Sequence, residues 1–168
     1  IFVSYILIFL SACSGLLLQE PVPDRLLLLP PSEGAVTQLL KQKVTIIKKG
    51  KEQQFLVVLR LEQAQLKLRA FLPTGQPLLS IDYDGQVLQK NNSASIELPS
   101  EEILAMTQFA LWPEKSLNRY YLAEKGWQLN VTNKQRLLQT REGKVLSVDY
   151  LSVDELLVTN YLHDYQVK

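Results

Sequence analysis

Apolar and polar side chains alternate with a two-residue period along most of this chain, the pattern of strands with one buried face. The cleanest case sets Ala64, Leu66, Leu68 and Ala70 against Gln65, Lys67 and Arg69. Before it, residues 44–48 read as a first strand, and Lys49-Gly50-Lys51 as a turn. Phe55, Val57, Leu59 and Leu61 then form the buried face of a second strand, whose other face carries Leu56 and Val58 beside Arg60 and is partly covered. After it, Pro73-Thr74-Gly75-Gln76 turns the chain into Leu79, Ile81 and Tyr83, set against Ser80, Asp82 and Asp84. Asp84-Gly85 makes a hairpin into Val87-Leu88-Gln89. Consecutive strands joined by tight turns predict an antiparallel meander.

The period changes after Pro99. Ser100 reads as an N-cap, and Glu101 and Glu102 suit the positive first turn of a helix. Ile103, Met106 and Ala110 form a stripe at helical spacing, widened by Leu104, Phe109 and Leu111, and Trp112-Pro113 stops it. A shorter helix is expected over residues 114–122, with Leu117, Tyr120 and Tyr121 on its apolar side. Strands resume with Trp127, Leu129 and Val131, turn through Thr132-Asn133-Lys134 and continue over residues 135–140. Glu142-Gly143 leads into residues 145–150. A final strand is expected over residues 155–163, with Tyr161, His163, Tyr165 and Val167 in alternation. No sequence repeat and no βαβ crossover is visible, so the expected class is mainly β (α+β), with helices inserted between two groups of strands.

The first thirty residues follow another rule. An apolar run over residues 1–9 leads into Leu10-Ser11-Ala12-Cys13, which holds the single cysteine of the chain. These four residues resemble the lipobox of bacterial lipoproteins. The resemblance implies diacylglyceryl transfer to the Cys13 thiol, cleavage after Ala12 and acylation of the new amino terminus. Small residues at Ser11 and Ala12 suit an unhindered peptidase approach, and only a thiol can become the thioether. The apolar run fails at Gln19 and Glu20, short of the roughly 20 residues that span a bilayer. Ser14, rather than Asp, implies export to the outer membrane in such lipoproteins. The chain opens at Ile1 with neither Met nor a basic region, so residues ahead of it are expected.

The expected organisation is a signal over residues 1–12, a tether with the acylated cysteine over 13–33, and one domain over 34–168. Pro21, Pro23, Pro30 and Pro31 deny the tether a helix or a central strand. Four leucines at 26–29 are unusual in a soluble spacer and predict packing on the domain's edge or against a membrane, the former favoured. Residues 34–41 read as a short helical turn.

Lys and Arg number 18 against 17 Asp and Glu, so there is no basic stripe for nucleic acid and no nucleic-acid partner is expected. With one cysteine the fold stands on packing, without an internal disulfide. Catalysis has little to draw on. His163 is the only histidine, and Asp164 beside it points to the opposite face of a strand. One histidine and an acylated cysteine make no metal site, and Glu101-Glu102 reads as a helix start before an acid–base pair. No cofactor and no enzyme activity are expected.

Several runs, taken in order, carry a wider resemblance: Phe71-Leu72-Pro73-Thr74-Gly75-Gln76 leading to Tyr83-Asp84-Gly85, then Leu98-Pro99-Ser100-Glu101-Glu102-Ile103-Leu104, Phe109-Ala110-Leu111-Trp112-Pro113, and a terminal strand with Tyr165. They look like an uncharacterised family of bacterial outer-membrane lipoproteins encoded with aryl-polyene-type lipid clusters. That family is similar in turn to LolB, which accepts lipoproteins from the periplasmic carrier LolA. The resemblance implies an open antiparallel β-barrel with a concave apolar interior, a helical lid and acyl chains held between them. Phe55, Val57, Leu59, Leu66, Leu68, Leu79, Ile81 and Tyr83 would then form the wall. Ile103, Met106, Phe109, Trp112, Tyr121 and Trp127 would come from the lid and mouth, where tryptophan and tyrosine combine an apolar body with a polar tip.

Each acyl methylene buried there is worth about 0.8 kcal/mol, so binding needs no catalytic group. The expected function is an acceptor on the periplasmic face of the outer membrane, anchored through Cys13, that takes a lipid or acylated protein from a periplasmic carrier and delivers it to that membrane. The alternative is a non-catalytic assembly lipoprotein that docks a partner without bound lipid.

Overall fold

The computed structural model describes residues 22–34, 37–93 and 99–168. Cys13, the apolar run before it, the first part of the tether and Leu98 lie outside the described residues. Among the described residues no helix is long and apolar enough to cross a membrane.

Ten antiparallel strands form one open curved sheet: β1 (Gln38–Lys48), β2 (Lys51–Leu61), β3 (Leu66–Phe71), β4 (Pro77–Tyr83), β5 (Leu88–Asn92), β6 (Gln128–Val131), β7 (Gln135–Thr140), β8 (Gly143–Tyr150), β9 (Leu156–Asn160) and β10 (Tyr165–Val167). Their spatial order is β5-β4-β3-β2-β1-β10-β9-β8-β7-β6, so two meanders meet where β1 pairs with β10. Helices α1 (Ser100–Leu111) and α2 (Glu114–Tyr120) connect β5 to β6, the strands at the two ends of the sheet. Register shifts at Ala70/Phe71 and Leu138/Gln139 put one irregularity in each half, and such shifts bend and twist a sheet.

The register explains the inner face, because residues directly opposite each other point to the same side. Leu40, Leu59, Leu68 and Ile81 form one row, and Leu61, Leu66, Tyr83 and Leu88 the next. In the other half Val167, Val158 and Val148 align, as do Asn160, Leu146, Leu138 and Leu129. Against these rows α1 packs Leu104, Met106, Phe109 and Ala110, and α2 packs Leu117. Many of these side chains have almost no exposure, and each large one contributes about 1.5–3 kcal/mol on burial.

Three local expectations need correction. β1 begins at Gln38, so the last part of the 34–41 stretch is strand; β2 is apolar through Leu61 and pairs with β1 as far back as Gln38. Ser100 is the first helical residue and Pro99 precedes it without a side-chain cap, although Glu101 and Glu102 do occupy the first turn. The last strand is two. β9 ends at Asn160, whose Oδ1 accepts the His163 N–H at 3.1 Å, and Asp164 at φ 52° completes the reversal into β10.

Candidate functional site

The chain's own N-terminal segment packs across the helices and contributes Leu29 to the core. Pro23 packs beside Gly126, and Val22 shares a hollow with Arg141. From there the segment runs across the helices to the β4–β5 turn, where a Cβ on Gly85 would lie 3.2 Å from Pro31 Cδ. Leu29 is fully buried in the core, and Leu26, Leu27 and Leu28 pack against it. Of the two environments expected for the four leucines, packing on the domain holds for Leu29. We call residues 22–33 the strap.

Side chains of both helices hold the strap through its backbone. The Gln108 amide accepts the Leu29 N–H at 2.8 Å and donates to the Leu29 carbonyl at 2.6 Å, all within the core. Tyr121 Oη meets the Leu27 N–H and carbonyl at 3.3 and 3.4 Å, and the Trp112 indole N–H donates to the Pro30 carbonyl at 3.4 Å. Ser116 donates to the Glu33 carbonyl at 2.9 Å, and Arg119 pairs with the Glu33 carboxylate. An extended segment with three prolines and no strand partner thus finds hydrogen-bond partners for its backbone.

The helices are fastened in turn to the sheet. Arg136 on β7 donates to the Phe109 and Trp112 carbonyls at 2.6 and 2.8 Å, and the Tyr150 hydroxyl donates to the Ala110 carbonyl at 2.9 Å. These bonds satisfy carbonyls that a helix end leaves unpaired, and they place a cation at the negative pole of α1. At the other pole the Tyr165 hydroxyl donates to Glu102 at 2.6 Å, and His163 Nδ1 lies 2.6 Å from the second Glu102 oxygen. Burial first, then the Glu102 carboxylate, pushes the Tyr165 hydroxyl well above its ordinary pKa. Burial does the same to Tyr121. Glu102, His163 and Tyr165 tie helix to sheet, and His163 takes Glu102, not Asp164, as its partner.

Of the wall residues, Leu59, Leu66, Leu68, Leu79, Ile81 and Tyr83 are buried on the inner face, while Phe55 and Val57 are half-buried nearer the β1–β2 turn. Met106, Phe109, Trp112, Tyr121 and Trp127 are buried opposite them, and Ile103 is half-buried. Phe109, Tyr121 and Trp127 stack edge-on in sequence, with centroids 5.6 and 5.2 Å apart. A mouth position for Trp112 and Tyr121 is not what forms: their polar tips are met by the strap, which lets the rings go inside. A hollow of about 430 Å³ opens beside Tyr121 and Trp127, lined further by Asn118, Leu122 and Gln139, and one of about 270 Å³ lies between Trp127, Val22 and Arg141. Both lie outside the packed interior. Among the described residues no group of three or more His, Cys, Asp or Glu side chains is placed to hold a metal.

Sequence reasoning missed Gln108, Arg136 and Glu102 as organising residues. Gln108 and Glu102 stand within helical stretches that read as ordinary amphipathic surface, and every partner is distant in the chain.

Residues 39–168 match a family model described as a protein of unknown function (DUF3261). A search of curated proteins found no match.

Proposed function

The chain belongs to the DUF3261 family, and we propose that it is a non-catalytic, outer-membrane lipoprotein, anchored through Cys13 on the periplasmic face, that takes acyl chains into the interior of its sheet and delivers them to that membrane. The observation that carries this reading is the strap. A leucine-rich segment runs across the helices and inserts Leu29 into the core, which supports an interior that takes apolar groups presented on a linear chain. The cargo is a lipid or an acylated protein handed over by a periplasmic carrier, and it enters by exchange with residues 26–29. The likeness of the runs around Pro73, Pro99 and Trp112 to LolB-related lipoproteins points the same way.

A second reading is favoured by the packing itself. Leu59, Leu66, Ile81, Leu104 and Phe109 are already fully buried, which suits an assembly lipoprotein that keeps its interior closed and docks a partner at β5 or β6, the ends of the sheet. Displacement of a fluorescent fatty acid from the chain beginning at Ser14 separates the two. Saturable uptake supports the acceptor, and its absence leaves the assembly module.

A further inference from the structure

The turns of the sheet divide by charge between its two ends. Because the strands alternate in direction, the β1–β2, β9–β10 and β7–β8 turns share one end, and the order of the sheet places them side by side. The turns at that end present Lys48, Lys49, Lys51, Arg141 and Lys144, all exposed, against Glu52, Glu142 and Asp164, while Glu102 there is bonded to His163 and Tyr165 and exposed Glu124 lines the hollow beside Arg141. The opposite end carries Glu62, Asp84, Asp154 and Glu155 in its turns, with Lys134 there and Lys168 paired to Glu155. Between the basic turns stand two exposed apolar side chains, Tyr161 at 43% and Leu162 at 37% of full accessibility. Lys144 Nζ lies 5.7 Å from the Tyr161 ring centroid, and Lys48 Nζ 5.7 Å from that of Tyr165, so cationic stems and aromatic faces are interleaved.

The described strap begins at this same end, since Val22 shares its hollow with Arg141 of the β7–β8 turn. Eight residues separate Cys13 from Val22, a reach of roughly 30 Å when extended. We infer that the end formed by the β1–β2, β7–β8 and β9–β10 turns docks on an anionic phospholipid surface, with Tyr161 and Leu162 entering the interface and the surrounding cations facing lipid phosphates. A cation near such a surface gains from its negative potential, and a tyrosine–leucine pair suits the boundary between headgroup and hydrocarbon. Val87, Leu151 and Val153, at the other end, are more exposed still, but Asp84, Asp154 and Glu155 beside them oppose an anionic surface. Docking here sets the acidic end towards the periplasm, which goes beyond the anchoring proposed above and orients it.

The chain from Ser14 onward retains every described element and carries no lipid, so its binding reads this surface alone. It is sedimented with phosphatidylcholine vesicles, with and without phosphatidylglycerol, at rising salt. The expected result is binding to the anionic vesicles that weakens with salt, and a loss of at least about tenfold in Lys49→Glu/Lys51→Glu/Arg141→Glu. Leu162→Asp weakens it as well, while Lys41→Glu/Lys43→Glu/Lys67→Glu on the outer face of the sheet leaves it unchanged. Equal behaviour towards both kinds of vesicle, including none, overturns the inference, as does loss only in the outer-face variant. Fatty-acid uptake by the interior is a separate readout, so either proposal can fail without the other.

Discussion

Gln108 and Leu29 bond as two residues of paired strands do, although they lie 79 positions apart: one side-chain amide both accepts from the N–H and donates to the carbonyl of a single residue, at 2.8 and 2.6 Å. The helix thereby supplies the ladder that the strap lacks. Leu29 reaches the core without leaving its backbone polar groups unpaired, which would cost more than its burial returns.

Replacing Gln108 by Leu keeps the volume and removes both bonds. With the N–H and carbonyl of Leu29 orphaned in the core, stability falls by about 2–5 kcal/mol in urea titration. Amide exchange at Leu27 and Leu29 accelerates before that of β3 and β4, because the strap is released first. Uniform acceleration across the sheet would show that the clamp serves the whole core.

Tyr121 predicts an alkaline limit. Its folded-state pKa lies above the ordinary value of 10.0 because of burial, while the unfolded chain titrates near that value. The folded state therefore holds more protons above pH about 10, and stability declines as pH rises from there, by up to about 1.4 kcal/mol per pH unit for each such tyrosine. Below that pH the contribution is complete. Tyr121→Phe makes the fall shallower between pH about 10 and 12, as read by thermal melts, and an unchanged slope would place the titration elsewhere.

Gly85 meets two constraints at once. Its φ of +99° disfavours any side chain, and a Cβ would press on Pro31 at 3.2 Å, where the strap rounds the β4–β5 turn. Gly85→Ala is expected to cost about 1–3 kcal/mol. Asp84, which organises the turn by accepting the Gln86 and Val87 N–H groups at 2.8 and 2.7 Å, is held below the usual carboxylate range by those bonds, Val87's foremost. A melting temperature equal to the parent's would mean that the turn and strap yield freely.

Most of the sheet was legible because its strands are one-sided. In β3, and in β4 from Leu79 to Tyr83, every inner position is apolar and the period of two is unbroken, and Trp112-Pro113 stops α1 as a proline must. Packing of the four leucines on the domain was the favoured expectation and holds, but the strap's path across the helices was not legible, because four consecutive leucines have no period to assign one of them to the core. Nor was Gln108, since a polar residue beside an apolar stripe looks solvated until a distant peptide group fills its hydrogen bonds. The β9–β10 reversal was hidden by an accident of spacing, because Tyr161, His163, Tyr165 and Val167 keep the alternation through a turn.

For the anchor, Cys13→Ala in the whole chain is expected to move the protein from the membrane fraction to the soluble periplasmic fraction, since vesicle-type docking through turns is weaker than two or more acyl chains. Retention in the membrane fraction under high salt would contradict thioether anchoring.

The proposal that an acyl chain exchanges with the strap is tested most directly by titrating a fluorescent fatty acid into the chain from Ser14, its Leu29→Ala variant and its Leu68→Trp variant, each shown to be folded by circular dichroism. Saturable binding is predicted for the parent. Leu29→Ala, which loses about 2–5 kcal/mol of stability and empties part of the strap's site, binds more tightly, and Leu68→Trp, which enlarges the wall opposite, binds more weakly. No saturable binding to parent or Leu29→Ala would contradict the account.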